Sequence, residues 1–306
     1  MIINIIIKMS VQFLLIFLIL HSTLTNTTIF ANSYPHYDDP YRPLIGGIQI
    51  QYINFIVITI CSLAFPVNFA GKKGFVTAGH CGDEGWPNYV YQPHIDSPNL
   101  PWRNFIGNIV RDSPDTGDSI VDAAIIQLDP RGYPGPVDYS PFIFENRAEL
   151  NQSFLKDSSG KVGIYKFRYP TANDIDKVVF YKSGRTTGVT WGKLKYIRRE
   201  CFDNSPFGTF CVDPVMGIQK DVNEAGIIYS GPIADHGDSG GVVYTRFLYY
   251  KEFGGFIRQY AAVVYGIVTG GGGDWLYASL ALNVVKQWPD VVPIKCVPST
   301  NLDCGL

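Results

Sequence analysis

The chain has 306 residues, enough for one large domain or two small ones, with 46% hydrophobic and 17% charged residues. Its 31 glycines and 20 prolines are spread along the length, which argues against disorder and for a turn-rich fold. A formal net charge of −2 and the lack of a long basic run argue against a nucleic-acid partner.

Residues 1–31 read as a secretion signal. Lys8 supplies the positive charge, Met9 to Leu20 is apolar apart from Ser10 and Gln12, and Ala31 offers a cleavage point after a mostly polar stretch. Ile29, third before that cut, is larger than usual. The competing reading is an uncleaved anchor, but the apolar stretch is short against the ~20 residues of a spanning helix. Residues 32–43, rich in Pro, Tyr and Asp, are expected as a short linker or pro-segment. The folded domain is expected over 44–290 and a tail over 291–306.

From Leu44 onward, short runs rich in β-branched and aromatic residues alternate with turns. They are Ile45–Ile53, Val57–Phe65, Gly74–Val76, Ala123–Leu128, Lys177–Tyr181, Gly226–Tyr229, Gly241–Tyr244 and Tyr260–Val268. This pattern predicts an all-β sandwich or barrel. Gly254-Gly255, between two aromatic runs, predicts a hairpin turn. One helix is expected, capped by Ser279, with Leu280, Val284 and Trp288 on one face and Pro289 as its stop. Asn151-Gln152-Ser153 is a glycosylation acceptor by pattern.

Six cysteines stand at 61, 81, 201, 211, 296 and 304. None forms a Cys-x-x-Cys pair, which argues against structural zinc, and their number suits an oxidising compartment. Of the 15 pairings that six allow, sequence neighbours suggest Cys61–Cys81, Cys201–Cys211 and Cys296–Cys304.

Two strings carry chemistry: Thr77-Ala78-Gly79-His80-Cys81 and Gly237-Asp238-Ser239-Gly240-Gly241. Between them, Asp122 opens an apolar run, with Asp118 as its rival. A serine hydroxyl needs a base to take its proton, and histidine has the right pKa. The histidine needs a carboxylate to fix its tautomer, and the oxyanion of the tetrahedral intermediate needs preplaced N–H donors. Gly237 and Ser239 can supply those two N–H groups. Chain order discriminates among serine hydrolases. The elbow of α/β-hydrolases needs its histidine after the serine, yet all five histidines precede Ser239. A subtilisin order needs an acid before His80, where only Asp38 and Asp39 of the expected linker lie.

With its order of His, Asp and Ser, the chain resembles the chymotrypsin-like serine proteases, in the branch of α-lytic protease and the streptogrisins. The resemblance covers about residues 44–288. It rests on both strings, on Leu44-Ile45-Gly46-Gly47-Ile48, on Cys61-Ser62, and on Lys73-Gly74-Phe75-Val76 leading into the histidine string. Ser183-Gly184-Arg185-Thr186-Thr187-Gly188 and Gly266-Ile267-Val268-Thr269-Gly270-Gly271 complete it.

The resemblance implies two six-stranded antiparallel β-barrels with a short C-terminal helix, and a secreted, monomeric endopeptidase of protein or peptide substrates. It implies His80 as general base, Asp122 as orienting acid, Ser239 as nucleophile, and Gly237 and Ser239 as the oxyanion hole. Thr269, Gly270 and Gly271 would bind the substrate backbone by β-addition. Cys61 and Cys81 would pair beside the histidine. Arg185 would be structural, meeting Asp238. No cofactor, metal, nucleic acid or lasting membrane association is implied. The alternative class is an inactive, binding-only relative on the same fold.

Several positions depart from the family. Asp235 stands where a bracing cysteine is common, and Ile233 falls at the usual pocket floor. Thr269 replaces the usual serine, and Val268 stands where Glu-specific relatives carry histidine. Activation has two open routes: a new N-terminus at Leu44 or Ile45 pairing with Asp238, or Arg185 neutralising it. His94 and His236 are expected at the surface or rim.

Overall fold

Runs of valine, isoleucine and aromatic residues fit a pleated, half-buried surface, and most of the described residues do fold as strands. The computed structural model describes residues 37–53, 58–82, 88–95, 104–113, 116–131, 136–145, 160–203, 208–221, 231–252 and 256–296. The leader, Asn151, the Gly226–Tyr229 run, the Gly254-Gly255 turn and Cys304 lie outside the described residues.

The first group of strands is β1 (Leu44–Gly46), β2 (Gln49–Ile53), β3 (Ile58–Ser62), β4 (Pro66–Phe69), β5 (Lys72–Thr77), β6 (Tyr89–Tyr91), β7 (Phe105–Asp112), β8 (Gly117–Ser119) and β9 (Ala124–Leu128). β10 (Tyr139–Phe144) and β11 (Lys161–Phe167) lead to the second group. That group is β12 (Val179–Gly184), β13 (Gly188–Asp203), β14 (Thr209–Lys220), β15 (Val242–Glu252), β16 (Phe256–Gly272) and β17 (Trp275–Leu280). A short helix α1 (Asn283–Gln287) and β18 (Val291–Pro293) follow.

One sheet runs β18-β4-β5-β9-β7-β6-β2-β3, antiparallel throughout. Its two sides meet through residues 63–65. Leu63 N–H donates to Ile48 O, Ala64 N–H to Val76 O, and Val76 N–H to Phe65 O. In the other sheet, β16-β15-β12-β13-β14-β17 returns to β16, so six antiparallel strands form a closed ring. The all-β expectation holds. The expectation of purely antiparallel pairing needs correction, because β1 pairs with β10, β11 with β16 and β8 with β14 in parallel.

Side-chain alternation decides what is buried. One core gathers Ile50, Phe65, Phe75, Ile106 and Ile125 and continues into Val242, Tyr244 and Ile267 of β15 and β16. A second, with Phe180, Leu194, Met216 and Leu276, fills the six-stranded ring. A small third core of Phe210, Val212 and Val215 sits on β14.

Three expectations are revised. The Ile45–Ile53 run is split at Gly47, whose φ is +86° and where a Cβ would lie 2.1 Å from Ser183 Oγ. Ser279 does not cap the helix. It and Leu280 end β17, paired with Ile267 and Gly266, and α1 starts three residues later; sheet pairing outweighs the helical spacing. The segments flanking 44–290 are also packed. Tyr37 O accepts from Gln49 N–H, Tyr41 N–H donates to the Gln92 side chain, and β18 pairs with β4.

Candidate active site

β5 and β9 pair antiparallel, with Thr77 opposite Ala124. Three residues past Thr77 and two before Ala124 therefore fall at one end of the pair. This register brings His80, on a single 3-10 turn over Gly79–Cys81, beside Asp122. His80 Nδ1 lies 2.8 Å from Asp122 Oδ2, and its backbone N–H donates to Oδ1 at 3.0 Å. Asp122 is 1% exposed, while the imidazole keeps 17% of its surface. A buried carboxylate facing Nδ1 favours the tautomer with its proton there. The turn tolerates only glycine at 79, because a Cβ would lie 2.1 Å from Ser113 Oγ and 3.0 Å from Asp122 Oδ1. Ser279 Oγ donates to Asp122 O at 3.2 Å, and Ser279 N–H donates to Thr269 Oγ1 at 3.2 Å. The serine expected as a helix cap thus supports the acid.

Ser239 sits on a tight loop between the two sheets. Ser62 holds this loop twice: its N–H donates to Ser239 O and its Oγ to Gly237 O, both at 2.8 Å. Ser62 follows Cys61, which is bonded to Cys81, the residue after His80. A disulfide and a pair of hydrogen bonds therefore tie the serine loop to the histidine turn. Gly237 and Gly240 have φ of +94° and +79°, the left-handed region that favours glycine. At Gly240 a Cβ would lie 2.2 Å from Thr77 Oγ1 and 2.3 Å from Ser62 O. Among the described residues, neither the Gly237 nor the Ser239 N–H has a hydrogen-bond acceptor.

Asp238, between those two donors, is completely buried and caged. Its Oδ2 receives Lys182 Nζ at 3.0 Å, Thr187 Oγ1 at 2.7 Å and Asp235 N–H at 3.0 Å. Its Oδ1 receives the N–H groups of Thr186 at 2.8 Å and Thr187 at 3.1 Å. Burial alone would raise this carboxyl; Lys182 and Thr187 outweigh it and hold it below the ordinary carboxylate value. Burial lowers the Lys182 ammonium against the pull of Asp238. The expected partner, Arg185, is not the one that meets Asp238. Lys182 lies two residues from Phe180 on β12, so alternation turns both inward, and the chain leaves the strand before Arg185. Arg185 instead donates from Nε to Gln49 Oε1 and from its N–H to Ser62 Oγ.

The other expected residues divide. Thr269, Gly270 and Gly271 lie near the end of β16, with Gly270 opposite Tyr277 and Gly271 opposite Leu276 of β17. Among the described residues, no strand pairs with their other edge. Ile233 is fully buried in the ring's core, so its side chain offers no surface to a cleft. Ala234 abuts the strand instead: a Cβ on Gly271 would lie 2.9 Å from Ala234 Cβ. Asp118 is exposed and paired with Arg199. His94 and His236 are exposed, and Asp235 is exposed with only its backbone in the cage. Cys201 and Cys211 are bonded, directly opposite each other on β13 and β14. Cys296 is buried, with its Sγ 3.5 Å from Pro141 O. A groove of about 440 Å³, lined by Tyr165, Arg168, Tyr181, Arg246 and Tyr265 among others, shares no residue with this constellation.

Sequence reasoning missed Lys182, the supporting hydroxyls of Ser62 and Ser279, and Phe210, which stacks on the His80 ring with centroids 5.6 Å apart. Only Lys182 left a signal, as a lone cation in an apolar run.

No protein-family model matches the chain, and no curated protein resembles it in sequence. Solved structures do match. Thermobifida fusca protease A is 17% identical, with a TM-score of 0.53, over 82% of this chain and 98% of its own. A Nocardiopsis protease is 19% identical, with a TM-score of 0.50, over 81% and 97%. Cellulomonas bogoriensis chymotrypsin is 18% identical, with a TM-score of 0.50, over 82% and 98%. At such identities the likeness is one of fold, and the fold is that of the chymotrypsin-like serine proteases.

Proposed function

We propose that the chain is a secreted serine endopeptidase that uses His80, Asp122 and Ser239 as a triad. The observation that carries this reading is the His80–Asp122 contact at 2.8 Å, tied through Cys61–Cys81 and Ser62 to a serine loop whose Gly237 and Ser239 N–H groups meet no acceptor among the described residues.

A peptide adds to the open edge of Thr269–Gly271 and presents one carbonyl to Ser239. As Ser239 Oγ bonds to that carbon, its proton passes to His80 Nε2, and Asp122 stabilises the imidazolium. The carbonyl oxygen, now an oxyanion, accepts hydrogen bonds from the Gly237 and Ser239 N–H groups. Collapse breaks the C–N bond, and His80 returns the proton to the leaving amine. Water then attacks the acyl-enzyme by the same route, giving the acid and restoring Ser239. All these groups belong to the chain itself.

Activation follows from Asp238. In this reading the Lys182 ammonium already neutralises it, so orienting the Gly237 and Ser239 donors needs no new amino terminus. Leu44 and Ile45 support that view, since both are buried and Leu44 N–H donates to Asp138 O. Export agrees with the leader-like residues 1–31 and with two disulfides.

The test is covalent labelling with an organic fluorophosphonate, with the modified residue mapped. Labelling at Ser239 that vanishes in Ser239→Ala and in His80→Ala supports the reading. Folded wild-type protein that takes no label would sink it and leave a binding protein on a protease fold.

A further inference from the structure

A row of aromatic rings starts on the imidazole of His80. Phe210 stacks on it at 5.6 Å, Phe202 stacks on Phe210 at 5.3 Å, and Tyr277 meets Phe202 edge-on at 5.6 Å. Trp275 stacks on Tyr277 at 6.4 Å with planes 7° apart. The rings come from β13, β14 and β17. Phe210 is 4% exposed, whereas Phe202, Tyr277 and Trp275 keep part of their surface.

A purely structural cluster would be packed from both sides. This one faces a strand stripped of side chains: Gly270, Gly271, Gly272 and Gly273 follow one another. The Phe202 ring lies 3.6 Å from where a Cβ on Gly270 would be, and a Cβ on Gly272 or Gly273 would meet nothing within 4 Å among the described residues. A bare floor beside an aromatic wall leaves room for side chains from another chain. The Cys201–Cys211 bond fixes the wall, since each cysteine neighbours one of its phenylalanines.

We infer that this row is a specificity wall for the peptide on the N-terminal side of the cleaved bond. The inference rests on the endopeptidase reading above. A peptide strand added to Thr269–Gly271 turns alternate side chains to one face. The residue whose carbonyl is attacked points toward Ala234, so the residue before it points toward His80, where Phe210 already fills the face of the ring. That position takes glycine, alanine or serine. Two residues further back, about 7 Å along the strand, the side chain again faces the wall and meets Phe202 and Tyr277. That position takes an aromatic or large aliphatic side chain, by ring stacking and burial of apolar surface.

The experiment profiles cleavage of a peptide library by the full chain and by Phe210→Ala, Phe202→Ala and Tyr277→Ala. Fluorophosphonate labelling of Ser239 reports in each that the reactive serine is assembled. Wild type is expected to favour a small residue next to the scissile one and an aromatic residue two further back, the latter by about tenfold in kcat/KM over alanine. Phe210→Ala should raise kcat/KM for leucine or phenylalanine in the first position by at least about tenfold. Phe202→Ala and Tyr277→Ala should erase the aromatic preference in the second. If Phe210→Ala does not assemble, Phe210→Leu, which keeps bulk on β14, should still admit valine or leucine. Labelled wild type with a flat profile at both positions, or phenylalanine variants with an unchanged profile, overturns the wall. Unlabelled wild type overturns instead the endopeptidase reading beneath it.

Discussion

Two aspartates are buried beside the same cleft, and they are used differently. Asp122 and Asp238 are 1% and 0% exposed. Asp238 is saturated: a buried ammonium, a hydroxyl and backbone N–H groups take its two oxygens. Asp122 instead spends its carboxylate on one histidine, through both the backbone and Nδ1. That histidine keeps 17% of its surface exposed. A saturated carboxylate can only hold the chain in place. A carboxylate that faces a partly exposed imidazole can orient that ring.

Breaking the first arrangement gives the largest expected effect on activity. Asp122→Asn keeps the shape but no longer favours the Nδ1–H tautomer of His80. We expect kcat/KM to fall by about 10⁴, as such a change does in a serine triad, with little change in the melting temperature. A loss below about tenfold would mean that Asp122 is not the orienting acid.

Breaking the second should act on stability first. Lys182→Met removes the ammonium that meets Asp238 and leaves a carboxylate in a fully buried site. The cost should be about 3–5 kcal/mol, read from denaturant unfolding. Lys182→Met with Asp238→Asn should recover part of it, since no uncompensated charge remains. If the single variant costs less than about 1 kcal/mol, the pair is not what holds the loop.

pH separates the two regions more finely. The Asp238 carboxyl lies below its ordinary 3.8 in the folded chain. The unfolded chain therefore takes up its proton first as pH falls. This stability is present in full above about pH 4 and is lost as pH drops through the folded value. Unfolding curves of wild type should converge on those of the Lys182→Met, Asp238→Asn double variant below pH 4. Parallel curves would show that Asp238 carries no such linkage.

The same contrast explains what was readable beforehand. The strings around His80 and Ser239 are local, because the chemistry needs glycines and a cysteine at fixed offsets, and sequence carries offsets directly. The cage of Asp238 is not local. Lys182 lies 56 residues away, and its inward direction follows only from counting in twos from Phe180. Arg185, just past the strand end, attracted the assignment because it stands within the recognisable Ser-Gly-Arg-Thr-Thr-Gly string. Phe202 and Phe210 were hidden by register: they are opposite each other only because Cys201 pairs with Cys211. Ser279 reads as a helix cap in the sequence, and the pairing of β17 with β16 overrides that reading.

The smallest expected effect concerns the acid that lost the competition. Asp118 lies four residues before Asp122 and also opens toward an apolar run, so sequence alone kept both. Its side chain is 72% exposed and pairs with Arg199 of β13. Water screens such a pair, and its loss is commonly too small to measure. Asp118→Asn should leave kcat/KM within about twofold and the melting temperature unchanged, whereas Asp122→Asn is expected to abolish nearly all turnover. A large loss of activity in Asp118→Asn would reverse the comparison. The two carboxylates would then trade roles, and the buried one would be a support for the histidine turn alone.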